Sequence, residues 1–410
     1  MASFPAILAA AQTGRSMAQP RRTLLAEKDV QGLKYFKLLR PLLERLHDAG
    51  TQRDRAHNRK LFFDNYGALI LLYFFNPTLT SLRGVQQAST LRNVQRRLGC
   101  ARTSLGSLSE ATGVFDAQLL QTIIAELAAQ VQPLQQGPEA DALRGLTAVD
   151  GSLLPALPKM AWALWLDDQH RAGKLHLQFD IFKGVPVQAS VTAGNGSEYD
   201  QLRAAVQSGR LYVIDRGYAE YQLFQDIHNA GSGFIGRVRD NAVYQLLEDL
   251  PLTADAQQAG VLHDRLVWLG GDQSGQVLLQ PLRLLEVATG KTDRHGQPEL
   301  LRLATDRLDL DASLIALGYR YRWLIELFFR WLKCILGCRH LLSHDQNGVT
   351  IQVYLALIAS LLISLWTGRK PSKRTFEMLC FYFSGWASAD EVLAHLQKLA
   401  EKDARTPQQS

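Results

Sequence analysis

The sequence LYVIDRGYAEYQLFQDIHNAGSGFIGRV, residues 211–238, decides the fold class of this chain of 410 residues. The apolar run at 211–214 predicts a short buried strand, and the run at 234–238 predicts a second one. Between them, apolar residues recur at helical intervals up to about Ala230, which predicts an amphipathic helix. A strand, a helix and a further strand in succession form the unit of a sheet covered by helices. The stretch therefore predicts an α/β protein.

Three more strands are predicted on the N-terminal side of this unit. The first is the apolar run at 146–149, and the runs at 175–182 and 185–191 follow it, separated by Lys183 and Gly184. A glycine between two strand-like runs favours a tight hairpin turn. Hairpin strands beside a strand–helix–strand unit predict a mixed sheet with helices packed on it.

The rest of the chain divides by periodicity into segments on either side of this sheet. The N-terminal region has helical periodicity and ends in a stretch rich in glutamine, proline and glycine. After the predicted sheet come short strand-like runs broken by glycines, and the helical pattern returns only beyond them. We expect five segments: a helical basic region (1–135), the first part of the core (140–240), a β-rich insertion (241–300), the second part of the core (301–370), and a C-terminal helical region with a polar tail (371–410).

Charge is distributed unevenly along the chain. The net charge is +6, but residues 1–102 hold 17 Lys and Arg against 6 Asp and Glu, so the remainder is acidic. A strongly basic end favours binding to a polyanion such as a nucleic acid. The four cysteines are too few for a disulfide framework, which fits a cytoplasmic protein. The apolar run at 349–366 is at the lower length limit for a membrane helix, and its polar residues favour a buried core helix without membrane contact.

Four polar residues form a stripe on a predicted helix that is otherwise apolar. They are Tyr319, Arg322, Glu326 and Lys333. At 100° per residue they fall within an arc of about 60°, while the other faces carry mostly leucine, isoleucine, phenylalanine and tryptophan. Charged groups on a buried helix cost free energy unless they meet partners, a metal ion or a substrate. The stripe therefore predicts a functional site.

Three acidic residues are candidates for that site. Asp150 and Asp215 directly follow apolar strands, where open α/β sheets bind their ligands, and Glu326 lies on the striped helix. If the three converge, their like charges repel one another unless divalent cations neutralise them. Oxygen ligands without nearby histidine or cysteine favour a hard ion such as Mg²⁺. Two such ions about 4 Å apart support phosphodiester chemistry.

Each carboxylate also has a simpler interpretation. Asp150 and the glycine after it are a common turn pair, and Asp215 is a suitable cap for the helix that follows it. Glu326 is spaced to form an ion pair with Arg322 or Arg330 on one helix face. None of these interpretations accounts for a polar stripe on an apolar helix.

The same residues resemble the signature of a known family. The spacing Tyr319-x₂-Arg322-x₃-Glu326-x₆-Lys333 is similar to the Tyr-Arg-Glu-Lys signature of the DDE transposases of the insertion-sequence-4 group. The motifs DGS at 150–152 and DRGY at 215–218 resemble that group's two aspartate motifs, in the same order. The sequence FIGRVRDN at 234–241 is also similar. The resemblance extends over most of the chain beyond the basic N-terminal region.

This resemblance implies a ribonuclease-H-like core, a mixed sheet flanked by helices, with a β-rich insertion and a helical N-terminal DNA-binding region. It implies a transposase that binds terminal inverted repeats, cleaves double-stranded DNA there, and transfers the strands to target DNA by cut and paste. Asp150, Asp215 and Glu326 would be the catalytic residues and would hold two Mg²⁺ ions, which Mn²⁺ can replace. Because two DNA ends must be held together, we expect a homodimer on DNA, associated with the nucleoid in a bacterial cytoplasm.

The resemblance also implies which side chains contact DNA. Tyr319, Arg322 and Lys333 would bind phosphates near the cleaved end, since an arginine grips a phosphate with two hydrogen bonds and a lysine acts as a point charge. Trp323 would stack on an unpaired base if cleavage passes through a DNA hairpin. Packing in the core is the alternative role for this tryptophan.

Two further arginines and one alternative function stay open. Arg216 and Arg237 would add phosphate contacts, or serve as solvated or structural residues. The alternative function is a catalytically silent DNA-binding protein derived from a transposase. Retention of all three carboxylates and of the whole stripe argues against it.

Overall fold

The computed structural model describes residues 34–47, 49, 59–155, 160–163, 171–270, 278–292, 296, 298–335 and 341–405. The N-terminal part of this region consists of helices and loops, in keeping with its helical periodicity. Its helices are α1 (Lys34–Glu44), α2 (Phe63–Phe75), α3 (Leu82–Ala88), α4 (Arg92–Leu98), α5 (Leu105–Val114), α6 (Leu119–Gln130) and α7 (Pro138–Ala142).

Nine strands then form one mixed sheet. They are β1 (Leu146–Pro155), β2 (Ala172–Asp180), β3 (Val185–Ala193), β4 (Leu211–Ile214), β5 (Gly233–Arg237), β6 (Tyr244–Asp249), β7 (Val261–Leu269), β8 (Leu282–Thr292) and β9 (Pro298–Thr305). Their order across the sheet is β3-β2-β1-β4-β5-β9-β8-β7-β6. Strands β1, β4 and β5 are parallel neighbours, and the other pairs are antiparallel. The predicted α/β class with a mixed sheet and flanking helices is confirmed.

The stretch at 211–238 forms the strand–helix–strand unit that its periodicity predicts. All four residues of β4 are buried, and a 3₁₀ turn (Arg216–Tyr218) leads into the next helix. That helix packs on β5 through Phe224 and Phe234, whose stacked rings lie 4.3 Å apart between centroids. The helices between strands are α8 (Glu198–Arg203), α9 (Tyr221–Asn229) and α10 (Ala254–Gln258).

The strands expected at 241–300 continue the main sheet. Strand β9 pairs with β5, with Ile235 opposite Thr305, and β8, β7 and β6 follow in order. A buried ion pair between Arg283 and Asp264 joins β8 to β7, with Nε of the arginine 3.2 Å from Oδ1 of the aspartate. An ion pair therefore joins two strands in this half of the sheet, and the sequence pattern does not predict it.

The C-terminal helices surround a central buried helix. They are α11 (Ala312–Tyr321), α12 (Trp323–Ile335), α13 (Gln346–Thr367), α14 (Lys373–Phe383) and α15 (Ala389–Arg405). Helix α13 is long and apolar enough to cross a membrane, with a mean hydropathy of 2.1, but 94% of that window is buried inside the protein. The Tyr354 hydroxyl donates to the Ala189 carbonyl at 2.9 Å and so ties α13 to β3. This burial matches the core helix expected from its polar residues.

The polar stripe does not lie on one continuous helix, contrary to expectation. Helix α11 ends at Tyr321 and α12 begins at Trp323, with Arg322 between them in the right-handed helical region. Hydrogen bonds from the Arg322 amide to the Tyr319 carbonyl and from the Ile325 amide to the Arg322 carbonyl tighten this joint into a turn with three-residue spacing. The helix that begins after this joint is also less buried than its apolar composition predicts, because Trp323 and Leu327 on it are 51% and 41% exposed.

Candidate active site

Parallel pairing of β1 with β4 brings the two candidate aspartates level. The register matches Leu146 with Leu211 and Ala148 with Val213. Continued by two residues, the same offset places Asp150 beside Asp215. The two carboxylates thus meet at the carboxyl end of the parallel pairing, where α/β sheets bind ligands.

Strand β1 itself does not end at Asp150, which corrects the predicted strand boundary. It continues to Pro155, paired only with β2, and Asp150 lies opposite Leu177 in that pairing. Its parallel partner β4 stops at Ile214. Asp150 therefore projects where one neighbour of its strand has ended, and the antiparallel neighbour holds its backbone in place.

The two aspartates accept hydrogen bonds from different backbone amides. Asp215 accepts a hydrogen bond from the Gly217 amide at 2.8 Å, so the capping role considered from sequence is present for one of its oxygens. Asp150 accepts one from the Gly151 amide at 2.8 Å. Burial raises the pKa of Asp150 to about 6, and the nearby charges of Asp215 and Glu198 act in the same direction.

Arg322 connects Asp150 to Glu326. Its Nη2 donates to Oε1 of Glu326 at 2.6 Å, and its Nη1 lies 3.6 Å from Oδ2 of Asp150. Helix α12 carries Glu326 and packs against β1, which sets this geometry. The helix-face pair considered from sequence is thus present with Arg322, and the same guanidinium reaches the sheet.

The donor set suits a hard cation, although the side chains are not yet arranged around one. Among the described residues, no three Asp, Glu, His or Cys side chains are already close enough together to hold a metal ion. The candidate donors are carboxylate oxygens, and Asp150 has a raised pKa because its charged form lacks sufficient stabilisation. A divalent cation would supply that stabilisation.

A cleft of about 690 Å³ opens beside Asp215 and Arg322, and neither Asp150 nor Glu326 is part of its lining. Its walls carry more arginine than carboxylate, which favours a phosphate-bearing ligand. Lys333 lies two helical turns beyond Glu326 on α12, and neither it nor exposed Trp323 is part of the lining. The lining residues are Asp215, Arg216, Gly217, Arg237, Arg239, Asp240, Asn241, Tyr319 and Arg322.

Two aspartates on neighbouring parallel strands, followed by a glutamate on a helix, are the pattern that the resemblance implied. Residues 141–362, more than half of the chain, match the family described as "Transposase DDE domain". This chain belongs to the DDE transposases. The matched region contains β1, β4 and α12, so all three carboxylates lie inside the transposase domain.

Individual transposases show the same relationship. The chain is 28% identical over 222 residues to the Sinorhizobium fredii protein named as transposase y4zB, covering 54% of this chain and 60% of that protein. It is 20% identical over 322 residues to the Synechocystis protein named as transposase for insertion sequence element IS4SA, covering 73% and 88%. That name agrees with the insertion-sequence-4 group. The chain spans less than two thirds of the length of the first relative.

A solved structure similar to this DDE transposase is the cryo-EM synaptic complex of piggyBac transposase with hairpin DNA. The TM-score is 0.43 at 10% sequence identity, with 92% of this chain and 82% of the other covered.

Sequence reasoning missed four residues of the site in this DDE transposase. Arg239, Asp240 and Asn241 line the cleft, and their signal was available, since they follow the strand predicted at 234–238. Glu198 is the fourth, and its negative charge acts on Asp150. It lies 48 positions after Asp150 in the sequence, so only the folded chain brings it to the site.

Proposed function

We propose that this chain is the transposase of an insertion sequence, which binds terminal inverted repeats, cleaves DNA there, and joins the ends to target DNA by cut and paste. One observation carries the proposal. The sheet sets Asp150 level with Asp215, and Arg322 ties Asp150 to Glu326 beside an arginine-lined cleft. Phosphodiester chemistry needs this combination of clustered carboxylates and phosphate-binding cations.

The core of this enzyme is ribonuclease-H-like in our proposal. The supporting feature is the half-sheet β3-β2-β1-β4-β5, in which an antiparallel hairpin precedes two parallel strands. We keep the expected segments around it: the basic region at 1–135, the two parts of the catalytic core at 140–240 and 301–370, the insertion at 241–300, and the C-terminal region at 371–410. Residues 1–33 and 406–410 of these segments lie outside the described residues.

Asp150, Asp215 and Glu326 would hold two Mg²⁺ ions, or Mn²⁺ in their place. Bound there, the ions would supply an activated nucleophile and would stabilise the leaving oxygen. The protein contributes the fixed positions of the two aspartates on adjacent strands. It also contributes Glu326, whose ion pair with Arg322 can give way to a cation.

Arg322 has two competing roles. Paired with Asp150 and Glu326, it neutralises the carboxylates in the protein described here. When other positive charge neutralises those carboxylates, the guanidinium is released toward the cleft that it lines, where it can bind a phosphate with two hydrogen bonds. This exchange explains why an arginine occupies the centre of an acidic site.

The other DNA contacts follow from the lining of the cleft. Tyr319, Arg216 and Arg237 face the same space as Arg322, so we assign them to phosphates of the cleaved end. Lys333 would bind a phosphate further along α12. Trp323 is half exposed at the start of α12, which suits stacking on an unpaired base of a hairpin better than packing in the core.

Helices α3 and α4 are our candidate for recognition of the DNA ends. Residues 65–109 contain five arginines and no acidic residue. All five are exposed, and none forms an ion pair with another described residue. Helix α4 has no buried residue, and its orientation is set by the Gln95 side chain, which donates to the Ser89 carbonyl at 2.8 Å. Two short helices with a three-residue turn and an exposed basic second helix suit docking on duplex DNA.

A homodimer on DNA follows from the need to hold two ends, and we place the protein in the bacterial cytoplasm at the nucleoid. The buried position of α13 supports a soluble domain.

The decisive experiment combines purified protein, duplexes carrying the terminal repeats that flank its gene, and Mg²⁺. We expect strand cleavage at the repeat ends, and none with Asp215→Asn, which keeps the shape but removes a charge. Binding without nicking by the wild-type protein would leave the silent DNA-binding alternative as the function.

A further inference from the structure

The Glu198 carboxylate lies between the two aspartate motifs. Its Oε1 is 2.5 Å from the position that a Cβ atom on Gly151 would occupy, and its Oε2 is 3.9 Å from the corresponding position at Gly217. Gly151 directly follows Asp150, and Gly217 donates its amide to Asp215. Both glycines therefore leave room for the Glu198 carboxylate beside the backbone of the two aspartate motifs.

Two elements, α8 and β2, hold Glu198 in this position. It is the first residue of α8, which Ser197 caps by accepting a hydrogen bond from the Asp200 amide. From β2, Lys174 Nζ lies 3.2 Å from Oε1 of Glu198 and also donates to the Gly196 carbonyl at 3.2 Å. The Lys174 and Glu198 side chains are 17% and 28% exposed. Lysine thus anchors one carboxylate oxygen, while the other faces Gly217.

A buried hydroxyl next to the three carboxylates needs a partner. Tyr218 is fully buried, and its hydroxyl has no hydrogen-bond partner among the described residues. Burial raises the pKa of this hydroxyl, and the negative charges of Glu198, Asp150 and Asp215 act in the same direction. An unsatisfied buried hydroxyl destabilises the folded state, and the waters that Mg²⁺ retains would satisfy it.

We propose that Glu198 is a fourth carboxylate ligand of the divalent-cation site, acting through its Oε2 together with Asp150 and Asp215. This inference rests on the proposed function, because it concerns the same cation site. It adds a ligand that the transposase motifs do not contain, and it assigns Lys174 and the two motif glycines to positioning that ligand. The cation would reduce the mutual repulsion of the three carboxylates and give Tyr218 a hydrated neighbour.

The test is Mn²⁺ binding to the full chain without DNA, followed by electron paramagnetic resonance of the free ion. Glu198→Gln should weaken Mn²⁺ affinity by about tenfold or more. Asp200→Asn is the matched control, since Asp200 is an exposed carboxylate on the same helix, and its affinity should equal the wild type. Thermal unfolding in EDTA checks that both variants are folded.

A second variant displaces the Glu198 carboxylate without replacing Glu198 itself. In Gly151→Ala the new methyl group would meet Oε1 of Glu198, so the carboxylate must move. We expect a similar loss of Mn²⁺ affinity, and no further loss when Glu198→Gln is added, because both changes remove one interaction.

The outcomes separate this inference from the proposed function. If the wild type binds Mn²⁺ and Glu198→Gln binds it equally well, Glu198 is not a ligand, while the three-carboxylate site stands. If the wild type binds no Mn²⁺ at all, the fourth ligand and the metal-dependent function are both wrong.

Discussion

At the scale of single residues, Arg322 lies at the centre of the candidate site. It lies at the joint between α11 and α12, contacts Asp150 and Glu326, and lines the cleft. In the proposed function, this side chain exchanges its carboxylate partners for a phosphate as positive charge is added to the site. Replacing the groups around it should therefore separate DNA binding from DNA cleavage.

Glu326→Gln tests the catalytic carboxylate on α12. The amide keeps the size and the contact with Arg322 but loses the charge that holds a cation, so cleavage of repeat-end DNA should be abolished. Binding to the same DNA should stay within about twofold. Gel shift and nicking assays on one preparation measure both. Glu377→Gln, an exposed change on α14, should cleave normally, and near wild-type cleavage by Glu326→Gln would contradict the assignment.

Asp150→Asn tests the burial of that carboxyl through the pH dependence of stability. Folding raises the pKa of Asp150 from 3.8 to about 6, so its stabilising contribution is complete below pH 4 and is lost as the pH rises through 6. The asparagine variant has no such loss. In EDTA, its free energy of unfolding relative to wild type should rise by about 2 kcal/mol between pH 4 and pH 8.

Urea unfolding of both proteins at several pH values measures this difference. A constant difference across that range would show that the carboxyl at position 150 is solvated.

At the scale of elements, we assign DNA binding to α4 and the chemistry to the β1–β4 strand pair. Helix α4 exposes arginines within a stretch, residues 65–109, that contains no acidic residue, while the strand pair sets two carboxylates side by side. In the proposed function, binding to DNA ends and chemistry on them would therefore depend on different parts of the chain. Substitutions in α4 should weaken binding and leave the cation site intact.

Replacing Arg92, Arg96 and Arg97 together by glutamine tests α4. Each lost phosphate contact should lower the slope of log affinity against log salt by about one, so the triple variant should bind end DNA more weakly and with a smaller slope. Fluorescence anisotropy at several salt concentrations measures it. Arg144→Gln changes an exposed arginine outside this surface and serves as the control. An unchanged slope in the triple variant would remove α4 from the interface.

At the scale of the whole molecule, α13 joins the N-terminal helices to the sheet. Tyr354 on this helix donates to Ala189 on β3 and accepts from the Gln121 side chain on α6 at 2.7 Å. A helix with an apolar composition suited to a membrane is thus fixed by polar contacts inside the protein. Damage to these contacts should affect global stability and leave the chemistry of the site unchanged.

Tyr354→Phe tests this junction. Loss of the buried hydroxyl should lower the free energy of unfolding by about 1–2 kcal/mol, as measured by urea denaturation. Tyr321→Phe is the matched control, because the Tyr321 hydroxyl makes no hydrogen bond within the described residues, and it should change stability little. Equal stability of the two variants would contradict the role of Tyr354.

Local patterns in the sequence predicted the α/β class, the strand–helix–strand unit at 211–238 and the position of the polar stripe. Strand and helix periods, and the order of the acidic motifs, are properties of the chain itself, so they can be read along it. The family resemblance, which also depends on spacing alone, was confirmed for the transposase domain.

Only the tertiary structure decided how these parts meet. The β1–β4 register sets Asp150 level with Asp215, the turn at Arg322 divides the stripe between two helices, and Glu198 arrives from α8. Each depends on hydrogen bonds and packing between distant segments, which periodicity along the chain does not encode. The acidic and basic residues of this transposase are therefore visible in its sequence, whereas their pairing around Arg322 exists only in the folded protein.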